Sequence, residues 1–412
     1  MQQDCITRFF AIPGYKPKDI HFLDAHGQTT EGDGEVSEVV VELARTAGRY
    51  RCQCGRTFTK YHDCQNRFVR DLPWGAWNHV VLMVERFRVR CPGCGVVTEP
   101  LDWIPHNRTY TRRLAQAVAL ACREVRSIKA IADSFELSWD TVKAIDKAAL
   151  KADLDPPDLC GLRHLAIDEF SIKRRHTYGT IFLDVERNRV VWVCATREKQ
   201  AVINVFRNVF GKDVCNGIEA VSMDWWRGYE GAVAECLPNA QIVWDFFHVV
   251  KLYNSKVIDR VRIDEACKCQ TLQERSEMKN TKFILLKNRQ NLVDDEPARL
   301  SALLAANRKL MTVYILRDAL RKLWDYTYPA PARRWFDGWY ARAIRSRIEP
   351  LKRFARSLKE RLEGVIAHCR HRISTGRLEG VNNTVKVIKR VAYGFRDQDY
   401  FFYKIRGRFP GG

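Results

Sequence analysis

Two short apolar runs in this 412-residue chain each end in an aspartate: LAID closes on Asp168 and AVSMD on Asp224. If both runs are strands, neighbouring ends bring two carboxylates within reach of shared cations, and hard oxygen donors of this kind suit Mg²⁺ or Mn²⁺. A third carboxylate, Glu379, lies in STGRLEGVNNTVKVIKRVAYGF, where Leu378, Val381, Val385, Ile388 and Ala392 recur at steps of three and four. That stripe predicts a helix with one buried side. Its polar side carries Glu379, then Asn382 or Asn383, Lys386, and Lys389 or Arg390, a face able to hold a metal beside a phosphate backbone. Residues 341 to 410 hold 18 Lys or Arg against 6 Asp or Glu, so an acid embedded there calls for a reason. Taken singly, each aspartate reads equally well as a turn former or cap, and the helix as a solvated amphipathic one.

Asp245 and His248 in WDFFHVVK sit one helical turn apart and could orient a phosphate, a water or a metal ligand; a histidine capped by a nearby aspartate for structural reasons is the bland alternative. Trp225 and Trp226 beside Asp224 are either core or a platform for a displaced base, with core favoured for at least one.

A second chemistry rests on thiols. Cys52 and Cys54 (RCQCG) precede Cys91 and Cys94 (CPGCG), and each pair is followed by glycine, as knuckles turning tightly around a tetrahedral ion require. Four thiolates close a structural Zn²⁺ site. The single-residue spacer of the first pair is irregular, and His62 or Cys64 could replace one ligand. The other cysteines of the fourteen scatter along the chain as reduced core thiols, with Cys267 and Cys269 read as helical.

Positioning these groups takes several elements. Up to about Ile104 the chain is rich in turns and short β-like runs, among them VVLMVERFRVRC. Helical periodicity follows from Tyr110 to Lys151 and stops at Pro156 and Pro157. Within it, VRSIKAIADSFELSWDTVKAIDKAAL predicts two short helices around a turn at Phe135 to Leu137, with Ser138 capping the second. In such a helix-turn-helix the second helix enters the major groove, so Ser138, Trp139, Asp140, Thr141 and Lys143 would face DNA. RHLAIDEF, TYGTIFLDV and RVVWVCAT then predict a three-stranded meander, AVSMD and AQIVWDF alternate with helices, and Asp264 to His368 is helical and charged, like an inserted block.

A net charge of +20 favours a polyanionic partner, because neutralised phosphates release counterions whatever their sequence. With no apolar run of membrane-spanning length and no signal peptide, attachment to a membrane is not expected.

Across nearly its whole length the chain resembles the DDE transposases of bacterial insertion sequences, most of all the group named after the lactobacillar element ISL-three. The likeness runs through the cysteine knuckles, the helix-turn-helix, AIDEFSIKRRHTYGTIFLD, MDWWRGY, DFFHVVK and TGRLEGVNNTVKVIKRVAYGF. It implies that Asp168, Asp224 and Glu379 form the catalytic triad on an RNase H-like mixed sheet interrupted by a helical insertion, and that Asp245 and His248 match an Asp-x-x-His signature. The implied order is a zinc-ribbon DNA-binding domain (1–105), a helix-turn-helix domain (106–157), a first catalytic part (158–263), an all-helical insertion (264–368) and a second catalytic part with a basic tail (369–412).

The expected function is a transposase that binds terminal inverted repeats in double-stranded DNA and cuts and joins strands with two Mg²⁺ ions in an in-line displacement. Asn382, Asn383, Lys386, Lys389 and Arg390 would contact DNA, the three cations gripping flanking phosphates, two ends would be cut by a homodimer or larger assembly, and the place of action would be the bacterial cytoplasm. Two rivals share the same residues: an inactive DNA-binding regulator derived from a transposase, and a structure-specific nuclease on the same fold.

Overall fold

The computed structural model describes residues 12–30, 35–173, 177–287, 289–373 and 376–411. They form two compact units, one from Met1–Asp155 with Ile388–Tyr403 and the other from Pro156–Val387 with Lys404–Gly412.

Among the described residues of the first unit, seven strands appear: β1 (Tyr15–Leu23), β2 (Glu38–Arg45), β3 (Tyr50–Arg51), β4 (Thr57–Phe58), β5 (Asp63–Arg70), β6 (Val80–Cys91) and β7 (Gly95–Thr98). The main sheet runs β1-β2-β6-β5, with β7 folded back on the far end of β6 and β3 paired only with β4. The twelve-residue β6 has two jobs. Its first half lies parallel to β2, Val39 opposite Val80 through Leu43 opposite Val84, and buries Val80, Leu82 and Val84 with Val39 and Val41. Its second half ends in the hairpin that pairs Cys91 with Gly95, where Phe87, Val89 and Cys91 join Tyr50 and Cys52 in a separate small cluster.

Three helices follow, Arg112–Ala121, Ile128–Phe135 and Trp139–Leu154. Each starts on a hydroxyl: Thr111, Ser127 and Ser138 accept from the backbone N–H groups of Leu114, Ala130 and Thr141. Such caps satisfy donors that the helix itself cannot. The turn between the second and third helices is made by Glu136 in the left-handed region, φ +49°. Leu114, Val118, Ile131, Ala132, Val142 and Ile145 close a core between all three. The C-terminal segment of this unit packs here too: the Tyr400 hydroxyl donates to the buried Asp146, and Lys143 and Lys147 both lie 3.0 Å from Asp397.

The second unit is built on β8 (His164–Lys173), β9 (Thr177–Asp184), β10 (Arg189–Cys194), β11 (Ala220–Met223) and β12 (Gln241–Trp244), in the order β10-β9-β8-β11-β12. The first three are an antiparallel meander, as expected from the sequence; β11 then lies parallel to both β8 and β12. From Gly179 to Asp184, β9 is buried without alternation, as a strand covered on both faces must be.

Beyond Trp244 every regular element is helical among the described residues. Those from Phe246–Tyr253 to Leu362–Ile366 contribute to one hydrophobic cluster with the sheet, extending from Leu165, Ile167 and Phe182 through Tyr253 and Trp339 to Val365. Buried polar groups fasten them: the Tyr253 hydroxyl donates to the Val313 carbonyl at 2.8 Å, and the Trp339 indole to Leu316 at 2.8 Å. Closer still is the helix Leu362–Ile366 over β12, where Gly364 leaves room for the Trp244 ring that a Cβ would meet at 2.5 Å. The mixed α/β, multidomain architecture expected from the pattern of elements is thus present, and among the described residues no helix is long and apolar enough to cross a membrane.

Candidate active site

Register brings the carboxylates together. Met223 of β11 is paired with Ile167 of β8 and with Trp244 of β12, so these three residues form a row across the sheet, and the next residue of each is an aspartate: Asp168, Asp224 and Asp245. Three parallel strands therefore deliver three acids at the same level, at the carboxyl ends of β11 and β12 where open α/β sheets place their ligands. Asp168 itself is not at a strand end. β8 continues to Lys173 because its other neighbour, β9, keeps pairing with it beyond the point where β11 stops.

His248 gathers the three. Asp245 caps the helix Phe246–Tyr253, accepting from the Phe247 N–H with one oxygen (2.7 Å) and holding His248 Nδ1 with the other (2.8 Å). The far ring nitrogen, Nε2, lies 3.8 Å from Asp168 Oδ1 and 3.8 Å from Asp224 Oδ2. Burial by itself would lower the imidazole's pKa, but the bond to Asp245 and the charges of Asp224 and Asp168 outweigh it and raise it to about 9. The three carboxylates around the ring thus favour its protonated form. Asp168 is pushed up to about 6, chiefly because desolvation penalises its anion, with His248 and the Glu169 N–H acting in the opposite direction.

A fourth element arrives from far along the chain. In the helix Gly376–Val391, Asn382 donates through Nδ2 to Asp168 Oδ2 at 2.7 Å, while its Oδ1 is buried without a hydrogen-bond partner. Glu379 lies one turn earlier, exposed, in the first turn of that helix. Residues three apart on a helix are neighbours on its surface. Asn382, read from the sequence as a DNA contact, is thus a brace on the carboxylate; Glu379 shares its side of the helix, and among the described residues Asp168, Asp224 and Glu379 do not gather within 4.8 Å of one another. The sequence signal for this was its i+3 spacing from Glu379.

Supporting groups were not foreseen. Below the site, Thr180 gives its proton to the Thr196 carbonyl (2.8 Å) and shares a 2.9 Å bond with the Tyr229 hydroxyl, a buried polar pair between sheet and helix. Arg197 pairs with Glu169 at 2.6 Å and lies 4.4 Å from the Trp226 ring centroid. Of the two tryptophans, Trp225 stacks on Phe354 in the core and Trp226 remains part exposed.

The remaining sequence candidates lie as follows. Lys386 bonds Asn383 at 3.1 Å, and Lys389 and Arg390 occupy the last turn of their helix. Ser138 and Thr141 are spent on the cap, Trp139 is exposed, and Lys143 is engaged with Asp397. Cys267 and Cys269 follow the helix Asp259–Ala266 instead of lying within it.

In the first unit, the sulfurs of Cys52, Cys54, Cys91 and Cys94 all lie within 4.8 Å of one another, Cys54 and Cys91 at 3.8 Å. A tetrahedron of ~2.3 Å Zn–S bonds has edges of about 3.8 Å, so the quartet fits a zinc ion. Gly55 and Gly95, which follow the two pairs, both have the positive φ expected of knuckle turns (+89° and +75°). Neither His62 nor Cys64 belongs to the cluster.

Residues 165–405 match a family described as transposase, of the DDE group of ISL3, and residues 99–150 match the helix-turn-helix domain of transposase family ISL3. Over 374 residues, covering 90% of this chain and 91% of the relative, the sequence is 42% identical to the transposase for insertion sequence element IS1001 of Bordetella parapertussis. It is 28% identical over 395 residues to the transposase for insertion sequence element IS1557 of Mycobacterium tuberculosis, covering 89% of this chain and 86% of the relative.

Proposed function

The chain belongs to the ISL3 family of insertion-sequence transposases, and from that premise we propose that it cuts and rejoins DNA at the site formed by Asp168, Asp224 and Glu379, with Asp245 and His248 as its orienting pair. The observation that carries the reading is the Ile167–Met223–Trp244 row, which sets three aspartates side by side, with Asn382 tying the Glu379 helix to the first of them. The strand order, a meander joined to two parallel strands, supports an RNase H-like sheet.

The donor set fits divalent cations: it is made of hard oxygens, and Asp168 is buried in a way that disfavours its anion unless positive charge is near. When bound, such ions supply Lewis-acid activation of the attacking oxygen and neutralise the leaving one. The chain's own residues prepare the place. Asn382 fixes one oxygen of Asp168 and the Glu169 N–H the other, so the carboxylate cannot rotate. Asp245 fixes His248 in turn, turning its Nε2 toward Asp168 and Asp224. No side chain need become a covalent nucleophile, since water and then a DNA 3′-OH can serve.

DNA binding at the ends falls to the helix-turn-helix and to the zinc-ribbon unit closed by Cys52, Cys54, Cys91 and Cys94, with Trp139 at the exposed start of the reading helix. Lys386, Lys389 and Arg390 add phosphate contacts. We further propose the domain order read from the sequence, terminal inverted repeats as the target, a homodimer or larger assembly, and the bacterial cytoplasm as the place of action.

The deciding experiment incubates the purified chain with Mg²⁺ and linear DNA carrying its gene's own flanks, beside Asp224→Asn and Glu379→Gln. Cutting at both flanks with 3′-end joining by the wild type, lost in both variants while binding persists, is the expected result; binding without any cutting by the wild type overturns the catalytic reading in favour of a regulator.

A further inference from the structure

The helix that carries His248 has a second functional face. Val249 and Tyr253 point into the core, whereas Phe247, Lys251 and Ser255 follow one another at steps of four along the opposite side. That side borders a groove of about 420 Å³ whose other wall includes Lys282 and Arg321.

Its lining combines two chemistries. Phe247 is 49% exposed at the groove, one residue from His248, and stands edge-on to Phe246 at 5.4 Å; Phe246 in turn meets Trp324 at 5.1 Å and lies 5.9 Å from the Arg321 guanidinium. Lys251, Lys282 and Arg321 bring positive charge, and the one acid of the lining, Asp259, is engaged by Arg262 and Lys282. At the far end the helix widens into a π-turn over Asn254–Ile258, and Asn254 Oδ1 is buried there with no hydrogen-bond partner. Single π-turns recur at functional sites, and an orphaned buried acceptor has a use for a donor from outside.

On the reading that this chain acts on DNA ends, we infer that the groove receives an unpaired nucleotide next to the scissile phosphate, its base stacked on Phe247 and its backbone phosphates held by Lys251 and Arg321. A duplex is too wide for a cavity of this volume, and its bases have their faces covered by neighbours; an extruded or frayed nucleotide presents both a free ring face and flexible phosphates. The groove begins at Phe247, on the same helix as His248.

The test compares binding of the full chain, in zinc-replete buffer without Mg²⁺, to one duplex with a blunt end and to the same duplex with a short unpaired tail, by fluorescence anisotropy. Stacking and phosphate contacts of this kind predict roughly tenfold tighter binding of the frayed end. The preference should vanish in Phe247→Ala, weaken in Lys251→Ala and survive in Phe247→Trp; because Phe247 is half exposed, none of these changes opens the core. A 5-bromouracil in the tail should crosslink to the peptide holding Phe247. Equal affinity of the wild type for both ends, or an undiminished preference in Phe247→Ala, overturns the proposal. Free thymidine monophosphate competing as well as the tailed duplex would also overturn it, by assigning the groove to a soluble nucleotide. Cutting of the gene's flanks in Mg²⁺ reports separately on the transposase reading, so either can fail while the other stands.

Discussion

The Asn382 side chain donates to Asp168 Oδ2 across 2.7 Å, linking positions 214 residues apart. The bond fixes the carboxylate's rotation and sets the distance from β8 to the helix of Glu379. A hydrogen bond to a charged group contributes about 1.5–3 kcal/mol. If most of that is used for positioning, Asn382→Ala should cut DNA on the order of 10- to 100-fold more slowly with unchanged affinity for the flanks. Asn382→Asp, which sets a like charge against Asp168, should be slower still. Single-turnover cutting rates measured beside binding isotherms decide it, and a wild-type rate in the alanine variant would remove Asn382 from the site.

Acid should weaken the first unit through Asp397. Burial alone would raise this carboxyl, but the Tyr400 N–H together with Lys143 and Lys147 brings it down to about 2. A carboxylate with a lowered folded-state pKa contributes stability that is present above its unfolded pKa, near 4, and is lost as pH falls through about 2. Thermal melts of wild type and Asp397→Asn should therefore differ by a constant amount above about pH 4, up to about 2 kcal/mol, and converge toward pH 2. A difference that stays level down to the lowest pH would show that the ion pairs contribute nothing.

Zinc should copurify with the chain at one ion each, and Cys52→Ser or Cys91→Ser should lose it. Those two sulfurs are also buried in the small cluster with Tyr50 and Phe87, so the β3–β4 hairpin should loosen with the metal. Cys64→Ser and Cys267→Ser should keep a full complement, as read by a chelating dye after thiol modification. Full zinc in Cys91→Ser would rule out the quartet.

Two glycines give opposite expectations for the same substitution. A Cβ on Gly364 would lie 2.5 Å from Trp244 Nε1 and 3.0 Å from the Ile242 carbonyl oxygen, and the backbone atom cannot yield. Gly364→Ala should cost roughly 1–3 kcal/mol and slow cutting, since Trp244 immediately precedes Asp245. Gly380→Ala, on the helix of Glu379 with nothing within 4 Å, should raise stability by up to about 1 kcal/mol. Calorimetric melting temperatures moving in the same direction for both would contradict the packing described for β12.

Local pattern alone identified a good share of the protein. Ser138 before an apolar stripe signalled a capped helix, paired cysteines with trailing glycines signalled a tetrahedral site, and Leu378, Val381 and Val385 signalled the buried side of the Glu379 helix; each is a property of residues close in sequence, whose backbone geometry follows from short-range sterics and hydrogen bonding. Which acids meet was decided only by tertiary structure. The row Ile167–Met223–Trp244 depends on the pairing register of three strands, and a one-residue slip would have turned every aspartate to the other face. Lys143 shows the limit most plainly: spacing placed it on a DNA-reading helix, and long-range packing gave it Asp397, because an ion pair between distant segments leaves no periodic trace in either of them.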